Sequence, residues 1–190
     1  MTKFESDNKS SDEQLVAKIV ATNDAHLFAV LYDRYSDLVY NKCLSFTRDK
    51  EEAQDVTHDV FIHLFLKLKT FKGKSKFSTW LYSFTYNFCV NYIQRNKKKR
   101  NEKFVLTDEI PPNTDEYDEI DDKQIYQMKS ENLSKALKLI DPSDKMILMM
   151  KYQDDLTIKE IQEVLELGNS AIKMRLNRAK GRLIEIYNAL

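Results

Sequence analysis

"LTIKEIQEVLELGNSAIKMRLNRAKGRL", residues 156–183, decides the fold. Thr157 is followed three residues later by Glu160, the spacing of a capping box, ahead of the apolar positions Ile158, Ile161, Val164 and Leu165. A short helix is expected to start there. The pattern breaks between Glu166 and Asn169. It resumes with Ile172, Leu176, Ala179 and Leu183, spaced four, three and four, one buried stripe of a second helix. Two short helices across a tight turn form a helix-turn-helix. From Ser170 to Arg182 the second helix has five basic residues (Lys173, Arg175, Arg178, Lys180 and Arg182) and no acid. At about 100° per residue, the face opposite the stripe holds Ser170, Lys173, Met174, Asn177 and Arg178, with Arg175 and Lys180 on the flanks. A solvated helix face ordinarily mixes signs. A helix in a DNA major groove needs this arrangement instead: central side chains reach base edges and flanking cations reach phosphates.

The charge is sorted along the rest of the chain as well. Its 30 basic and 30 acidic residues cancel. Yet "RNKKKRNEK" (95–103) has six bases and one acid, while "DEIPPNTDEYDEIDD" (108–122) has eight acids and no base. The acidic run, with Pro111-Pro112, cannot build a packed core and reads as a flexible linker. With 190 residues, few breakers (three Gly, three Pro) and many helix formers, the chain is expected to be all-α. The expected layout is a disordered tail at 1–11, a helical domain at 12–100, an acidic flexible linker at 101–127 and a helix-turn-helix domain at 128–190. No apolar run reaches the roughly 18 residues that cross a bilayer, and the polar N-terminus lacks a secretion signal. A soluble, cytoplasmic protein is expected. Cys43 and Cys89 lie within apolar helical patterns and read as buried thiols of a reducing compartment.

In the first domain, apolar residues recur at helical spacing through Leu27–Val39 and Val56–Leu68. "KTFKGKSKF" (69–77) reads as a lysine-rich loop, and Ser78 and Thr79 could cap or open the helix that follows. That helix is apolar on two sides: Phe77, Trp80, Leu81, Phe84 and Phe88 on one, Tyr82, Tyr86, Cys89 and Ile93 on the other. Between them runs a polar ladder at spacing four, Ser83, Asn87, Asn91 and Arg95. Amides and hydroxyls can bond base edges, and lysines beside aromatics suit a single strand, although aromatic stripes are more often core. The preceding helix, "EEAQDVTHDVFIHLF" (51–65), is acidic on its outer side through Glu51, Glu52, Asp55 and Asp59. It suits a protein partner better than nucleic acid. No phosphate-binding glycine loop occurs, His58 and His63 fall off one helical face, and no nucleophile elbow appears. Neither an enzyme, a metal site nor a cofactor is expected.

These stretches also resemble a family, the bacterial RNA polymerase sigma factors of the extracytoplasmic-function group. The resemblance is carried by "LYDRYSDLVYNKCLSFTRDKEEAQDVTHDVFIHLF", by "GKSKFSTWLYSFTYNFCVNYIQRNKKKR" and by "ALKLIDPSDKMILMMKYQDDLTIKEIQEVLELGNSAIKMRLNRAKGRL", over about 26–100 and 133–187. It implies a subunit that directs core RNA polymerase to promoter DNA and helps open it, with an anti-sigma factor as a candidate further partner. By position, Asp55, His58 and Asp59 would face the polymerase. Lys76, Thr79, Asn87, Asn91 and Arg95 would face the promoter element near the start site. Lys173, Met174, Asn177 and Arg178 would face the distal one, on the helix face that also holds Ser170. The chain departs from the family pattern in the last turn, where Glu166 replaces a usual Gly, Gly168 a usual capping Ser and Met174 a usual polar residue. An acid is costly at positive φ, so the turn is expected to re-form around Gly168. A free-standing helix-turn-helix regulator is the alternative. It would need no acidic docking helix, and a plain helical scaffold would not explain the sorted charge.

Overall fold

The computed structural model describes residues 10–99 and 120–190. Most of the expected tail, the linker residues 101–119 and the side chains of 97–100 lie outside the described residues. Among the described residues the regular structure is entirely helical: α1 (Asp12–Thr22), α2 (Ala25–Phe46), α3 (Lys50–Lys67), a 3₁₀ turn (Leu68–Thr70), α4 (Phe77–Lys99), α5 (Asp122–Tyr126), α6 (Ser130–Leu139), α7 (Pro142–Tyr152), α8 (Ile158–Leu165) and α9 (Asn169–Asn188). The chain divides into two compact units, Met1–Cys89 and Val90–Leu190, and the division falls inside α4.

Local chemistry sets the helix starts. Ser11 and Gln14 form a capping box on α1, and the side chains of Asp24, Asp49 and Asp141 accept backbone N–H bonds at the starts of α2, α3 and α7. Pro142 occupies the first turn of α7, where its missing N–H costs nothing. Ser78 and Thr79 stand at the opening of helix α4, as expected, but not as its cap. The helix begins at Phe77, so both lie within its first turn. The Phe77 N–H donates instead to the Glu13 carboxylate of α1, at 3.2 Å. The same turn of α1 holds α2, because Asp12 accepts from Arg34 at 2.7 Å and from the Tyr35 hydroxyl.

In the first unit α2 packs chiefly on α3 and α1. Leu15 and Ile19 of α1, Leu31, Val39 and Cys43 of α2, Val60 and Leu64 of α3, and Phe77, Leu81 and Tyr86 of α4 are buried. Cys43 and Cys89 are buried free thiols with their sulfurs 3.8 Å apart. In the second unit α9 packs on α7, α6 and α8. Residues 120–127, read from sequence as the end of the linker, are folded. Asp121 caps α5 and Ile125 is buried. No described helix is long and apolar enough to cross a membrane.

Candidate nucleic-acid interface

Helices α8 and α9 form the expected helix-turn-helix. The capping box is present: Thr157 accepts from the Glu160 N–H and the Glu160 carboxylate accepts from the Thr157 N–H. The buried stripe is present too, with Ile172, Leu176, Ala179 and Leu183 all buried. The turn does not re-form around Gly168. Glu166 itself takes the left-handed conformation, at φ 54° and ψ 36°, and its N–H bonds the Gln162 carbonyl. Gly168 is extended, at φ −70° and ψ 159°, and precedes α9 as a cap without a side chain. The hydrogen bonds that close α8 converge on Gln162, so the geometry is fixed one turn earlier and Glu166 must accept the strained position.

On α9, Ser170, Lys173 and Met174 are exposed, and Arg175, Asn177 and Arg178 are half-buried. Lys180, expected on a flank within reach of phosphate, is not there. It is buried, with its ammonium donating to the Ile120 carbonyl and to Asp122 at 3.0 Å. Arg182 donates to Asp144 at 2.6 Å, on α7. The Asp122 carboxyl resists ionisation through burial, but hydrogen bonds from Tyr152 and Lys180 outweigh this and hold it below the ordinary aspartate value. For Asp144 burial wins over Arg182 and raises the carboxyl. Asn177 accepts from the Ile120 N–H at 3.0 Å.

On α4, Asn87, Asn91 and Arg95 are exposed along one side of the helix, and Lys76 is exposed in the loop before it. Thr79 is only 3% exposed, so it belongs to the core of the first unit and not to the surface that the sequence suggested. Ser83 of the polar ladder is also buried and accepts from the Asn87 amide at 3.3 Å. The aromatic residues Phe71, Phe77, Trp80 and Phe84 pack ring to ring, with neighbouring centroids 5.4–5.8 Å apart. Sequence reasoning missed Lys42. It is buried, donates to the Tyr86 hydroxyl at 3.1 Å and lies over the rings of Tyr82 and Tyr86, at 4.2 and 4.7 Å.

On α3, Asp55, His58 and Asp59 are exposed. Ile62 and Leu66 continue the same side, three to four residues on, and are 59% and 62% exposed. Sequence reasoning missed these two. Their signal was available in "VFIHLFLK", where more apolar residues occur than one buried stripe can use. No group of three His, Cys, Asp or Glu among the described residues is placed to hold a metal ion.

Residues 31–99, from α2 through α4, match sigma-70 region 2, and residues 130–183, from α6 into α9, match sigma-70 region 4. The chain belongs to the sigma-70 family. Within it, the chain falls in the extracytoplasmic-function group. It is 25% identical over 175 residues to the ECF RNA polymerase sigma factor SigW of Bacillus subtilis (strain 168), covering 87% of this chain and 91% of that protein. It is 28% identical over 151 residues to the RNA polymerase sigma factor YlaC of the same organism, covering 79% and 86%. Two solved structures share the fold. One is the sigma factor RpoE in complex with the anti-sigma factor NepR from Bartonella quintana, with TM-score 0.56, 16% identity and 84% and 95% of the two chains covered. The other is CnrH in complex with the cytosolic domain of CnrY, with TM-score 0.58, 18% identity and 95% and 99% covered.

Proposed function

We propose that this sigma-70 family chain is a promoter-specificity subunit: it brings core RNA polymerase to particular promoters and helps open the DNA there. Sigma factors are non-catalytic initiation factors, and this reading gives the chain no reaction and no cofactor of its own. The observation that carries the proposal is the pairing of two unlike faces. One is the polar and cationic outer face of α9. The other is the exposed acid and apolar face of α3, with Asp55, His58 and Asp59 beside Ile62 and Leu66. A free-standing regulator accounts for the first face only.

The roles follow from chemistry. Lys173, Asn177 and Arg178 present donors to base edges and phosphates of duplex DNA. Ser170 lies in the first turn of α9. Met174, 54% exposed, offers apolar contact, which suits a thymine methyl better than a polar base edge. Asn87, Asn91 and Arg95 would contact the opened strand near the start site, with Lys76 on its phosphates. The α3 face would dock on the polymerase and, in a resting state, on an anti-sigma factor. Residues 12–100 would melt promoter DNA and bind polymerase, and the C-terminal domain would read the distal element, all in the cytoplasm. Run-off transcription with core polymerase on genomic fragments tests the reading. Discrete new transcripts are expected, and they should disappear with Lys173→Gln plus Arg178→Gln. Transcripts identical to those of core polymerase alone would overturn it.

A further inference from the structure

The segment Ile120–Tyr126 lies against the second half of α9, and its contacts fall on groups that DNA reading would use. The Ile120 N–H donates to Asn177 Oδ1 at 3.0 Å. Lys180 Nζ donates to the Ile120 carbonyl and to Asp122 Oδ1. Tyr152 of α7 holds the same carboxylate oxygen at 2.6 Å, and Ile125 is buried. Gly181, which helical periodicity places opposite the buried stripe of α9, is itself buried. To Lys180, Asp122 offers what a phosphate offers, an anionic oxygen at charge-assisted hydrogen-bond distance. To Asn177, the Ile120 amide offers the donor that an adenine amino group would offer. A cleft of about 470 Å³ stays open beside Asp122, Tyr152, Lys173 and Met174, so the first turns of α9 are not covered.

We propose that Ile120–Tyr126 is an autoinhibitory strap: its backbone and the Asp122 carboxylate occupy the base- and phosphate-contacting positions at Asn177 and Lys180, and duplex DNA engages the full length of α9 only after displacing it. The proposal rests on the reading of α9 as a duplex-DNA helix. The free chain then binds DNA more weakly than its side chains allow, in proportion to the fraction of molecules with the strap open.

The test uses the full chain and a random-sequence duplex over a salt series. Asp122→Asn keeps the shape of the side chain and a partner for Tyr152, and removes the charge that answers Lys180. Affinity should rise about tenfold. The slope of log affinity against log salt should steepen by about 0.9, one added phosphate contact. Both gains should vanish when Lys180→Gln is added. Equal or weaker affinity with an unchanged slope, or binding by neither form at the lowest salt, overturns the proposal. Should the Asp122→Asn protein not fold, amide exchange in the unsubstituted chain decides. The Ile120 N–H should lose protection under saturating duplex, and retained protection overturns the strap. Lys173→Gln with Arg178→Gln addresses the underlying reading separately. If this pair leaves duplex binding intact, α9 is not the DNA helix, whatever Asp122 does.

Discussion

The turn of the helix-turn-helix is closed by a residue whose side chain opposes its backbone. Glu166 sits at φ 54° and ψ 36°, where an L-residue crowds its Cβ against the following carbonyl. The cost is about 1–2 kcal/mol, and glycine escapes it. Glu166→Gly should recover that strain, while the freer unfolded chain returns about 0.4–1 kcal/mol. The balance is a gain of roughly 0.5–1 kcal/mol for the C-terminal domain, which for a domain of this size raises Tm by about 2–8 °C. Glu166→Ala separates backbone from charge, because it removes the same carboxylate and keeps the Cβ. It should stay within about 0.5 kcal/mol of the parent. Scanning calorimetry of the full chain reads the difference on the C-terminal transition. DNA binding should follow the opposite grouping. Both variants lose an acid near the start of the basic helix, so both should bind duplex DNA slightly more tightly and by the same factor. Equal melting temperatures for the glycine and alanine variants would refute the strain argument.

Two further outcomes follow. Asp55→Lys with Asp59→Lys, or Ile62→Ser with Leu66→Ser, should weaken binding to core polymerase by tenfold or more, since burying one such apolar side chain is worth about 1.5–3 kcal/mol. Unchanged affinity in a protein with a native helical spectrum would remove the α3 face from polymerase docking. Asp144 should give the second unit a distinct pH signature. Burial raises its folded pKa above the ordinary 3.8, so the folded state holds this proton more tightly than the unfolded state. Its contribution to stability therefore falls as pH rises from 3.8 through the raised value. In Asp144→Asn that part of the Tm–pH curve should flatten, and a curve parallel to the parent's would show that Asp144 is not its source.

Periodicity made the helices legible. The stripe of Ile172, Leu176, Ala179 and Leu183 needs only helical geometry and burial, and both are present. The Thr157–Glu160 box needs only neighbours three residues apart. What sequence reasoning missed depends on contacts between distant residues. Thr79 is buried because α4 begins at Phe77, and that start is bonded by Glu13, 64 residues earlier. Helix α5 is five residues long, too short to show a period, and its single buried anchor, Ile125, stands just past a run whose composition suggests solvent. The exposed side of Ile62 and Leu66 could be found only by counting apolar residues in excess of one stripe.

The basic helix shows why composition alone misleads about a surface. Its five cations look alike in the sequence, and helical angle alone placed Lys180 on a flank with Arg175. Lys180 and Arg182 are in fact paired inside the second unit, with Asp122 and Asp144, and these pairs tie α9 to the segment before α6 and to α7. Lys173 is exposed, and Arg175 and Arg178 are partly so. Removing Asp144 alone would leave the Arg182 guanidinium half exposed, where water can reach it. Removing Arg182 alone would leave a carboxylate only 7% exposed without its partner, the more costly change. In the free chain these two pairs set the pose of α9, and the cations nearer its N-terminus are the ones a polyanion can reach until the Ile120–Tyr126 segment is displaced from Lys180. An uneven charge distribution along a neutral chain is thus partly a folding device and partly a binding one. The division between the two is made by which acids the fold brings within hydrogen-bonding distance.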